Sequence, residues 1–430
     1  MIQFIKHENK ALKECLYTAE HESGLKIAIM PKKGYSKSYA VFGTHFGSVD
    51  NLFLAPGNHE PTQLPDGIAH FLEHKLFEQP DRSNVFESYA RHGANANAYT
   101  SFHVTAYLFE STQDIQENLG ILLDFVQKPY FTDENVQKEQ GIIGQEIGMY
   151  NDDPDWQLMM GFLGGMFHEH PVRIDIAGSV ESISKITKET LYDCYHTFYN
   201  LSNMCLFIIG DVDPGMLGTF IDERLLQKTK AEGEVVRIYG KEPLTVKEQK
   251  VTKKLDVSVP MFMLGFKDPD CGYDGKALLK KDIELSIISE LLFGKTSPLY
   301  TKLYDGGYIL GGMDAETACE SAYGYVAISG ESREPETVRE MVFEGVKKAQ
   351  ETGLLAADVE RVRRAMTGQY IKQFNNLNAV AHQYMGQVFN NVNLFDFPAV
   401  IDEITLEDLN KRLRNYFDPE RSVLSVILPQ

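Results

Sequence analysis

The sequence predicts an α+β fold made of two similar halves, and three observations support this prediction. The chain has 430 residues, which suits two or more domains of roughly 100–200 residues better than a single core. One block of sequence recurs near the end of each half. Strand-like and helix-like runs come in clusters instead of strict alternation, which favours α+β halves over a doubly wound parallel sheet.

The repeated block identifies the two halves. Residues 186–212, ITKETLYDCYHTFYNLSNMCLFIIGDV, align without a gap with residues 404–430, ITLEDLNKRLRNYFDPERSVLSVILPQ, at an offset of 218 residues. Each copy opens with Ile-Thr and has Glu two residues after the Thr, the pattern of a helix whose N-cap is Thr187 or Thr405. An apolar run, LFIIG or LSVIL, then predicts a buried strand. The shared order of cap, helix, turn and strand indicates a duplication.

Hydrophobic periodicity predicts the other elements. The clearer helical patterns cover residues 114–127, 133–150, 277–293, 336–351 and 357–373. The strand-like runs are LKIAIM, SYAVFG and VTAYLF, followed in the second half by MFMLGF and YGYVAISG. A charged stretch without a sustained apolar period predicts a linker. The expected domains are residues 1–225 and 251–430, joined by a linker at 226–250.

Charge and cysteine usage limit the classes of partner and compartment. Lys and Arg number 42 against 61 Asp and Glu, a formal net charge of −19, which repels phosphate backbones and anionic lipid. We therefore expect no nucleic-acid partner and no membrane partner. The five cysteines form no CxxC pair, the N-terminus lacks a signal-peptide core, and no stretch approaches the ~18 apolar residues of a membrane helix. These features predict a cytoplasmic protein with reduced thiols.

Residues 70–78, HFLEHKLFE, contain a His-x-x-Glu-His pattern. Its apolar positions predict a helix, on which His70 and His74 at i and i+4 share one face. Two imidazoles one turn apart can bind one zinc ion, and Glu73 is near enough to take a proton from zinc-activated water. This reversal of the commoner His-Glu-x-x-His order is itself a zinc-peptidase signature. The alternative is two ordinary hydrogen-bonded histidines on a partly buried helix.

A third protein ligand is needed, because catalytic zinc takes three and leaves one position for water. On the helix predicted over 133–150, Glu139 and Glu146 lie seven residues apart and share a face. The helix is expected to be packed because of its neighbouring Ile142, Ile143 and Ile147. We favour Glu146 as the ligand and Glu139 as the group that hydrogen-bonds an imidazole and fixes its tautomer. The alternative for both is a solvated surface carboxylate.

Five motifs stand in an order that resembles one family. They are HFLEH, EQGIIGQEIGMY, GANANAYTSFHVTAYLF, HPVRIDIAGSVESISKITKETL and NMCLFIIGDVDP. In this order they resemble the pitrilysin or insulinase-type zinc metallopeptidases, the inverzincins. The length is similar to that of the short two-domain members, such as mitochondrial processing peptidase subunits, and the run from HFLEHKLFE to NDDPDW is most similar to YmfH-like bacterial proteins. The resemblance is strong over the N-terminal half and general over the C-terminal half.

The resemblance implies two homologous α+β domains, each a mainly antiparallel sheet with helices packed on one side. It implies that one zinc ion per chain is held by His70, His74 and Glu146, and that Glu73 is the catalytic base.

The resemblance also assigns a strand to the substrate. Asn97, Ala98 and Tyr99 match the strand to which an extended peptide adds by main-chain hydrogen bonds in this family. The alternative for these residues is a plain buried strand.

The second half departs from the pattern at the metal site. SIISELLF at 286–293 aligns with HFLEHKLF at an offset of 216 residues. The positions of the two histidines and of the glutamate base are then occupied by Ser286, Ser289 and Glu290. We expect no second metal site of this type.

A second departure bears on the partner. Active members of the family usually carry an Arg and a Tyr in the C-terminal domain that reach the substrate carbonyl. In LYDGGYIL, Tyr304 stands at the Arg position and Tyr308 is a rough match for the Tyr. The resemblance therefore implies a zinc subunit of a heterodimer, completed by a zinc-less paralogue. The alternative is that Tyr304 and Tyr308, or a nearby arginine such as Arg364, suffice within one chain or a homodimer.

The predicted function is that of a zinc metalloendopeptidase hydrolysing peptide bonds of unfolded peptides, with zinc-activated water and a glutamate general base. A non-catalytic peptide-binding or assembly subunit of the same fold is the rival interpretation, and the complete set of zinc-site residues stands against it. A purely structural zinc protein is less favoured, because structural sites are closed by four ligands and favour cysteine.

Overall fold

The computed structural model describes residues 2–80 and 85–430, and its contacts divide the chain into two units. Unit 1 comprises residues 1–147, 175–238 and 371–389. Unit 2 comprises residues 148–174, 239–370 and 390–430. Each unit therefore includes one segment from the opposite half of the sequence.

The described residues form fifteen strands, of which seven lie close to predicted runs. In chain order they are β1 (Ile5–Asn9), β2 (Glu14–Glu20), β3 (Lys26–Pro31), β4 (Ser38–Thr44), β5 (Leu52–Leu54), β6 (Thr62–Gln63), β7 (Ala94–Thr100), β8 (Thr105–Ser111), β9 (Met204–Gly210), β10 (Val236–Arg237), β11 (Lys250–Leu255), β12 (Met261–Lys267), β13 (Leu310–Cys319), β14 (Gly324–Glu331) and β15 (Ser422–Pro429). The two copies of the repeated block supply β9 and β15. The other predicted runs form β3, β4, β8, β12 and β14.

The five helices predicted from periodicity are all present, as α3, α4, α9, α11 and α12 of the following series. The helices are α1 (Ile68–Leu76), α2 (Val85–Arg91), α3 (Ile115–Val126), α4 (Asp133–Asp152), α5 (Pro154–Met166), α6 (Val180–Ile183), α7 (Lys188–Phe198), α8 (Pro214–Arg224), α9 (Gly275–Phe293), α10 (Pro298–Asp305), α11 (Pro335–Thr352), α12 (Ala356–Gln373), α13 (Leu377–Val388), α14 (Phe397–Glu403) and α15 (Leu406–Tyr416). Short 3-10 turns occur at Pro171–Arg173, Leu201–Asn203 and Pro419–Arg421.

The sheets of the two units have the same topology. Unit 1 contains a seven-stranded sheet in the order β1-β2-β3-β9-β4-β8-β7, and unit 2 a five-stranded sheet in the order β11-β15-β12-β14-β13. In each sheet one pair is parallel, β3 with β9 and β11 with β15, and the other pairs are antiparallel. Five consecutive strands of unit 1 thus match the five of unit 2, which confirms two homologous, mainly antiparallel α+β domains.

The repeated block has the predicted local structure in both copies. Thr187 caps α7 and Thr405 caps α15, and in each case the hydroxyl accepts the N3 backbone N–H while the N3 side chain accepts the N-cap N–H. Such a capping box satisfies backbone groups that a helix start leaves open. A buried strand follows each helix, β9 or β15.

Helices cover both faces of the unit 1 sheet. On one face, Tyr107 of β8 contacts Phe125 of α3, with ring centroids 5.6 Å apart. On the other face, a Cβ at Gly43 of β4 would lie 2.6 Å from Sδ of Met385 in α13. Gly43 pairs with Ala106, the neighbour of Tyr107, so the two contacts are on opposite faces. Helices of the same half cover one face, as predicted, and the other receives a helix from the second half of the sequence.

The unit 2 sheet repeats this arrangement. Phe266 of β12 contacts Phe343 of α11 at a centroid distance of 6.1 Å. At the next residue, Gly265, a side chain would lie on the other face of the sheet. A Cβ there would be 2.5 Å from Cζ of Phe162 in α5. Helix α5 comes from the first half of the sequence. In both units a glycine, Gly43 on β4 or Gly265 on β12, allows the helix from the opposite half to approach closely.

Candidate metal centre

Helix α1 carries the His-x-x-Glu-His pattern and is almost wholly buried. It begins after Gly67, whose φ of 89° is left-handed and where a Cβ would lie 2.4 Å from the carbonyl oxygen of Ala177. Only glycine combines that backbone conformation with that close approach. The apolar side of the helix, including Phe71 and Leu72, is packed in the core, as its periodicity predicts. This packing fixes the direction in which the two histidines of the motif point.

Helix α4 supplies the two glutamates. Glu139 is buried, Glu146 is partly buried, and Ile143 and Ile147 anchor the helix in the core. The expectation that Ile142 is packed is wrong, because its side chain is 44 % exposed. Positions 143 and 147 are one turn apart on the packed side, whereas 142 is rotated toward solvent. The glutamates therefore lie on a half-buried helix.

His70, His74 and Glu146 come together in the structure. Nε2 of His70 lies 3.6 Å from Oε1 of Glu146, and Nε2 of His74 lies 3.7 Å from Oε2 of the same carboxylate. One ligand atom from each of the three lies within 4.8 Å of the others. Ligand atoms of a tetrahedral zinc with bonds of about 2.0–2.1 Å are about 3.3–3.4 Å apart. The group therefore fits a zinc ion with small adjustments of side chains.

The electrostatics of the two histidines favour a cation at this point. Burial and then the charge of His74 lower the pKa of His70 to about 4, so its imidazole is neutral at pH 7. Burial also lowers the pKa of His74, but the hydrogen bond with Glu139 and the charge of Glu73 outweigh burial, and the pKa is raised. The carboxylates therefore attract a proton to His74, and a metal ion that binds there displaces it.

Glu139 lies where the sequence analysis puts it, beside an imidazole. Its Oε1 is 3.0 Å from Nδ1 of His74, and its Oε2 accepts a hydrogen bond from Nζ of Lys75 at 3.4 Å. Occupation of Nδ1 leaves Nε2 of His74 directed at Glu146, which is the tautomer that a metal site needs. Burial raises the pKa of Glu139, but the hydrogen bonds from His74 and Lys75 prevail and lower it.

Glu73 lies beside this cluster and is buried. Oγ1 of Thr100 donates a hydrogen bond of 2.6 Å to its Oε2. Burial raises the pKa of Glu73, opposed by that hydrogen bond and by the charge of His74. A carboxylate whose pKa is raised toward neutrality is a better general base at pH 7. Glu73 therefore has the environment of a proton acceptor, while His74 and Glu146 have that of ligands.

Strand β7 contains Asn97, Ala98 and Tyr99 at the edge of the unit 1 sheet. Among the described strands it pairs with β8, so its outer edge offers backbone N–H and C=O groups. Asn97 is exposed, Ala98 and Tyr99 are half-buried, and none of its seven residues is fully buried, which disagrees with a plain buried strand. Thr100, the last residue of the strand, links it to α1 through Glu73.

Lys75 and Thr100 were missed in the sequence, although each left a signal. Lys75 follows Phe71 by four residues, so it lies on the buried side of α1. Thr100 follows Ala98 by two residues, so both point to the same face of β7. A buried lysine on a metal-binding helix and a hydroxyl at the end of the substrate strand are recognisable once the elements are assigned.

His382 was also missed, and no local signal could have found it. Helix α13 brings its ring to 4.9 Å from the ring of Tyr99, and its Nε2 to 3.2 Å from the hydroxyl oxygen of Tyr39. The histidine thus lies behind β7, on the face opposite to Thr100.

The second unit has no counterpart of the metal cluster. Its helix α9 carries Ser286, Ser289 and Glu290 at the corresponding positions. Elsewhere in residues 2–80 and 85–430, no other group of three His, Cys, Asp or Glu side chains has metal-ligand spacing. The expectation that the second half has no metal site of this type stays a prediction.

Unit 2 contains the three residues named for the expected substrate-binding Arg and Tyr: Tyr304, Tyr308 and Arg364. Tyr304 is 54 % exposed on α10, and its ring is 6.0 Å from that of Tyr300. Tyr308 is half-buried just after this helix. Arg364 forms an ion pair of 2.8 Å with Glu360 on the surface of α12.

Of the helices in the described residues, none has the length and apolar character to cross a bilayer.

Comparison with known proteins supports the resemblance over the whole chain. A family model described as Insulinase (Peptidase family M16) matches residues 51–179, and one described as Peptidase M16 inactive domain matches residues 185–366. An uncharacterized zinc protease of Bacillus subtilis, YmfH, is 42 % identical over 431 residues, covering 100 % of both chains. A second B. subtilis zinc protease, YmxG, is 22 % identical and covers 88 % of this chain and 92 % of its own.

Solved structures of similar fold are also peptidases or proteases. An M16-like peptidase from Alicyclobacillus acidocaldarius has a TM-score of 0.92 at 36 % identity, with 100 % of this chain and 99 % of that chain covered. A protease from Helicobacter pylori has a TM-score of 0.81 at 17 % identity over 96 % and 99 % of the two chains, which shows the shared fold alone. Since YmfH matches from end to end and the insulinase model spans the His-x-x-Glu-His helix, the chain belongs to the insulinase family of zinc proteases, peptidase family M16.

Proposed function

We propose that this protein is a zinc metalloendopeptidase that cleaves unfolded peptides. The observation that carries the proposal is the convergence of His70, His74 and Glu146 beside a buried Glu73 that is not itself part of the cluster. Three N and O ligands with a carboxylate next to them are the arrangement of a catalytic rather than a structural zinc site.

The chain's own residues divide the chemistry between them. His70, His74 and Glu146 would hold one zinc ion per chain, with Glu139 keeping His74 in the required tautomer. Zinc supplies Lewis-acid polarisation of the peptide carbonyl and lowers the pKa of water. Glu73 accepts the proton of the attacking water and can return it to the leaving amine.

The substrate would bind as an added strand on the outer edge of β7. Backbone pairing along Asn97, Ala98 and Tyr99 requires an extended peptide, which a folded protein does not present. The proposal of an unfolded substrate rests on this edge. The Thr100–Glu73 hydrogen bond at the end of β7 would hold the carboxylate of Glu73 at a fixed position relative to the bound peptide.

We also propose that the active form is a heterodimer with a zinc-less paralogue, a homodimer being the alternative. The support is Tyr304, which stands where active relatives are expected to have an arginine. The same observation favours the second candidate function, a non-catalytic peptide-binding or assembly subunit of this fold. A cytoplasmic location is proposed because the five cysteines carry no disulfide.

Zinc content and peptide cleavage together test the function. The purified chain should contain about one zinc per chain, and His74→Ala should lose it whereas His92→Ala, just after α2, should not. Glu73→Gln should keep zinc and lose peptide hydrolysis by orders of magnitude, because the base is gone and the ligands remain. A Glu73→Gln variant as active as wild type, or equal zinc in wild type and His74→Ala, would contradict the proposal.

A further inference from the structure

Lys75, the residue after the second histidine of the motif, is a fully buried cation. Its side chain is 0 % exposed, and its Nζ lies 2.6 Å from Oε1 of Glu78 and 3.4 Å from Oε2 of Glu139. Lysine is almost never buried to this extent unless it is paired. The metal-binding helix thus carries a buried positive charge next to His74.

A continuous chain of contacts runs from this cation to the histidine. Lys75 holds one oxygen of Glu139, and the other oxygen of Glu139 is 3.0 Å from Nδ1 of His74. The carboxylate therefore bridges two consecutive residues of α1. The 2.6 Å contact with Glu78 fixes the ammonium in place, and its 3.4 Å contact with Oε2 of Glu139 opposes rotation of that carboxylate away from Nδ1 of His74.

Stability does not require a lysine at this position. The neighbouring helix positions Phe71, Leu72 and Leu76 are apolar and buried, so an apolar side chain would continue the same packed surface. Replacement of a buried ion pair by apolar residues is often neutral or stabilising, because the desolvation of two charges is avoided. A buried cation retained there points to a need for orientation.

We propose that Lys75 is a positioning residue of the metal site, acting through Glu139 to keep Nδ1 of His74 hydrogen-bonded and Nε2 directed at Glu146. The inference rests on the proposed function, since the ion that His74 would bind is zinc. Lys75 itself contacts neither the metal position nor substrate. Loss of an outer partner of this kind typically lowers metal affinity by about 10–100-fold.

A double-mutant cycle on zinc affinity tests the proposal. Zinc is titrated into metal-free wild type, Lys75→Met, Glu139→Gln and the double variant, and each dissociation constant is measured. We expect each single substitution to weaken zinc binding about 10–100-fold, and the double variant to be about as weak as Glu139→Gln alone, because both act on one contact. An equal loss from Lys75→Met in both backgrounds, or no loss in either, would overturn the proposal.

A matched control separates this role from the general effect of removing a buried lysine. Lys32 is 4 % exposed in the same unit and pairs with Glu14 and with the carbonyl oxygen of Phe374. Lys32→Met should therefore disturb stability and leave zinc affinity within about threefold of wild type. A comparable loss of zinc affinity in Lys32→Met would show that the effect of Lys75→Met is a consequence of lower stability.

A second readout does not depend on zinc. Nitrogen NMR of the metal-free protein, recorded at a pH high enough for His74 to be neutral, reports which ring nitrogen carries the proton. His74 should carry it on Nδ1 in wild type but populate both tautomers in Lys75→Met. Lys75→Gln, neutral and polar, repeats the cycle if the methionine variant does not fold. Absence of zinc binding in wild type would reject the proposed function, whereas wild-type binding with an additive cycle would reject the role of Lys75 alone.

Discussion

Thr100 shows how a single residue can connect substrate and catalysis. It ends the proposed substrate strand, and its hydroxyl donates to Glu73 at 2.6 Å. One carboxylate oxygen is thereby held, and the other remains for the water that Glu73 would deprotonate. The hydroxyl also opposes the effect of burial on the pKa of Glu73, which keeps the base in its ionised form over a wider range of pH.

Thr100→Val should lower kcat/KM for peptides about 10–100-fold and leave zinc content unchanged. A hydrogen bond to a charged group is worth about 1.5–3 kcal/mol, and valine keeps the shape of threonine without the donor. Steady-state kinetics and metal analysis measure the two quantities. Thr100→Ser, which retains the hydroxyl, is the control and should stay near wild type. Wild-type kinetics in Thr100→Val would mean that the hydroxyl does not orient the base.

At the scale of elements, Glu242 connects two segments of unit 2, the loop after α5 and strand β12. Its carboxylate accepts backbone N–H groups of His168, Glu169 and His170 at 2.8–3.0 Å and the ammonium of Lys267 at 2.5 Å. The loop after α5 is thus tied to β12. Glu242 lies in the stretch expected as a linker, whose β10 portion pairs with β5.

The two partners of this ion pair respond differently to burial. Burial raises the pKa of Glu242, but Lys267 and the three N–H groups outweigh burial and lower it to about 2. Burial lowers the pKa of Lys267 by more than Glu242 raises it. Folding therefore stabilises the ionised form of Glu242, chiefly because four donors bind its carboxylate.

Glu242→Gln should lower the free energy of unfolding by about 1–2 kcal/mol at pH 7. The depressed pKa of about 2 favours the ionised carboxylate in the folded state, but solvent screens part of this ion pair and the lowered pKa of Lys267 offsets part of the gain. Because the folded pKa is depressed, this stability is present above pH 4.5 and is lost as the pH falls toward 2. Urea unfolding of the transition that includes unit 2 should show a difference from wild type that shrinks in acid. Glu248→Gln, exposed in the same segment, should show none. A pH-independent difference would contradict this account.

At the scale of the whole molecule, the two units share one duplicated fold but differ at the positions of the metal ligands. The two sheets share strand order and the position of their parallel pair, and each receives a helix from the opposite half of the sequence. In the described residues the metal cluster is confined to unit 1. Unit 2 has kept the fold while its copy of the motif lost the ligands.

The proposed division of labour predicts a dependence on a second protein. The lone chain should hydrolyse peptides slowly, and addition of the zinc-less paralogue should raise the rate by about 10²–10³-fold, the usual effect of one oxyanion donor. Peptidase assays of the chain alone and with the paralogue measure this. A paralogue whose arginine is replaced by alanine is the control. Full activity of the lone chain, unchanged by the paralogue, would refute the heterodimer.

The sequence by itself determined the features that depend on spacing along the chain. The helix of HFLEH places His70 and His74 on one face because residues four apart are neighbours on a helix, and the same geometry aligns Glu139 with Glu146. The capped helices at Thr187 and Thr405 follow from local capping rules. These short-range relations hold in any context that permits a helix, so they were predictable.

The tertiary structure alone decided which distant segments meet. No local pattern pairs Thr100 with Glu73 or Tyr99 with His382, because each pair joins different elements. The passage of α13 to unit 1 and of α5 to unit 2 likewise depends on the packing of whole sheets, where Gly43 and Gly265 leave room. Lys75 is intermediate: its place on the buried side of α1 follows from spacing, whereas its partner Glu139 is fixed by how α4 packs on α1.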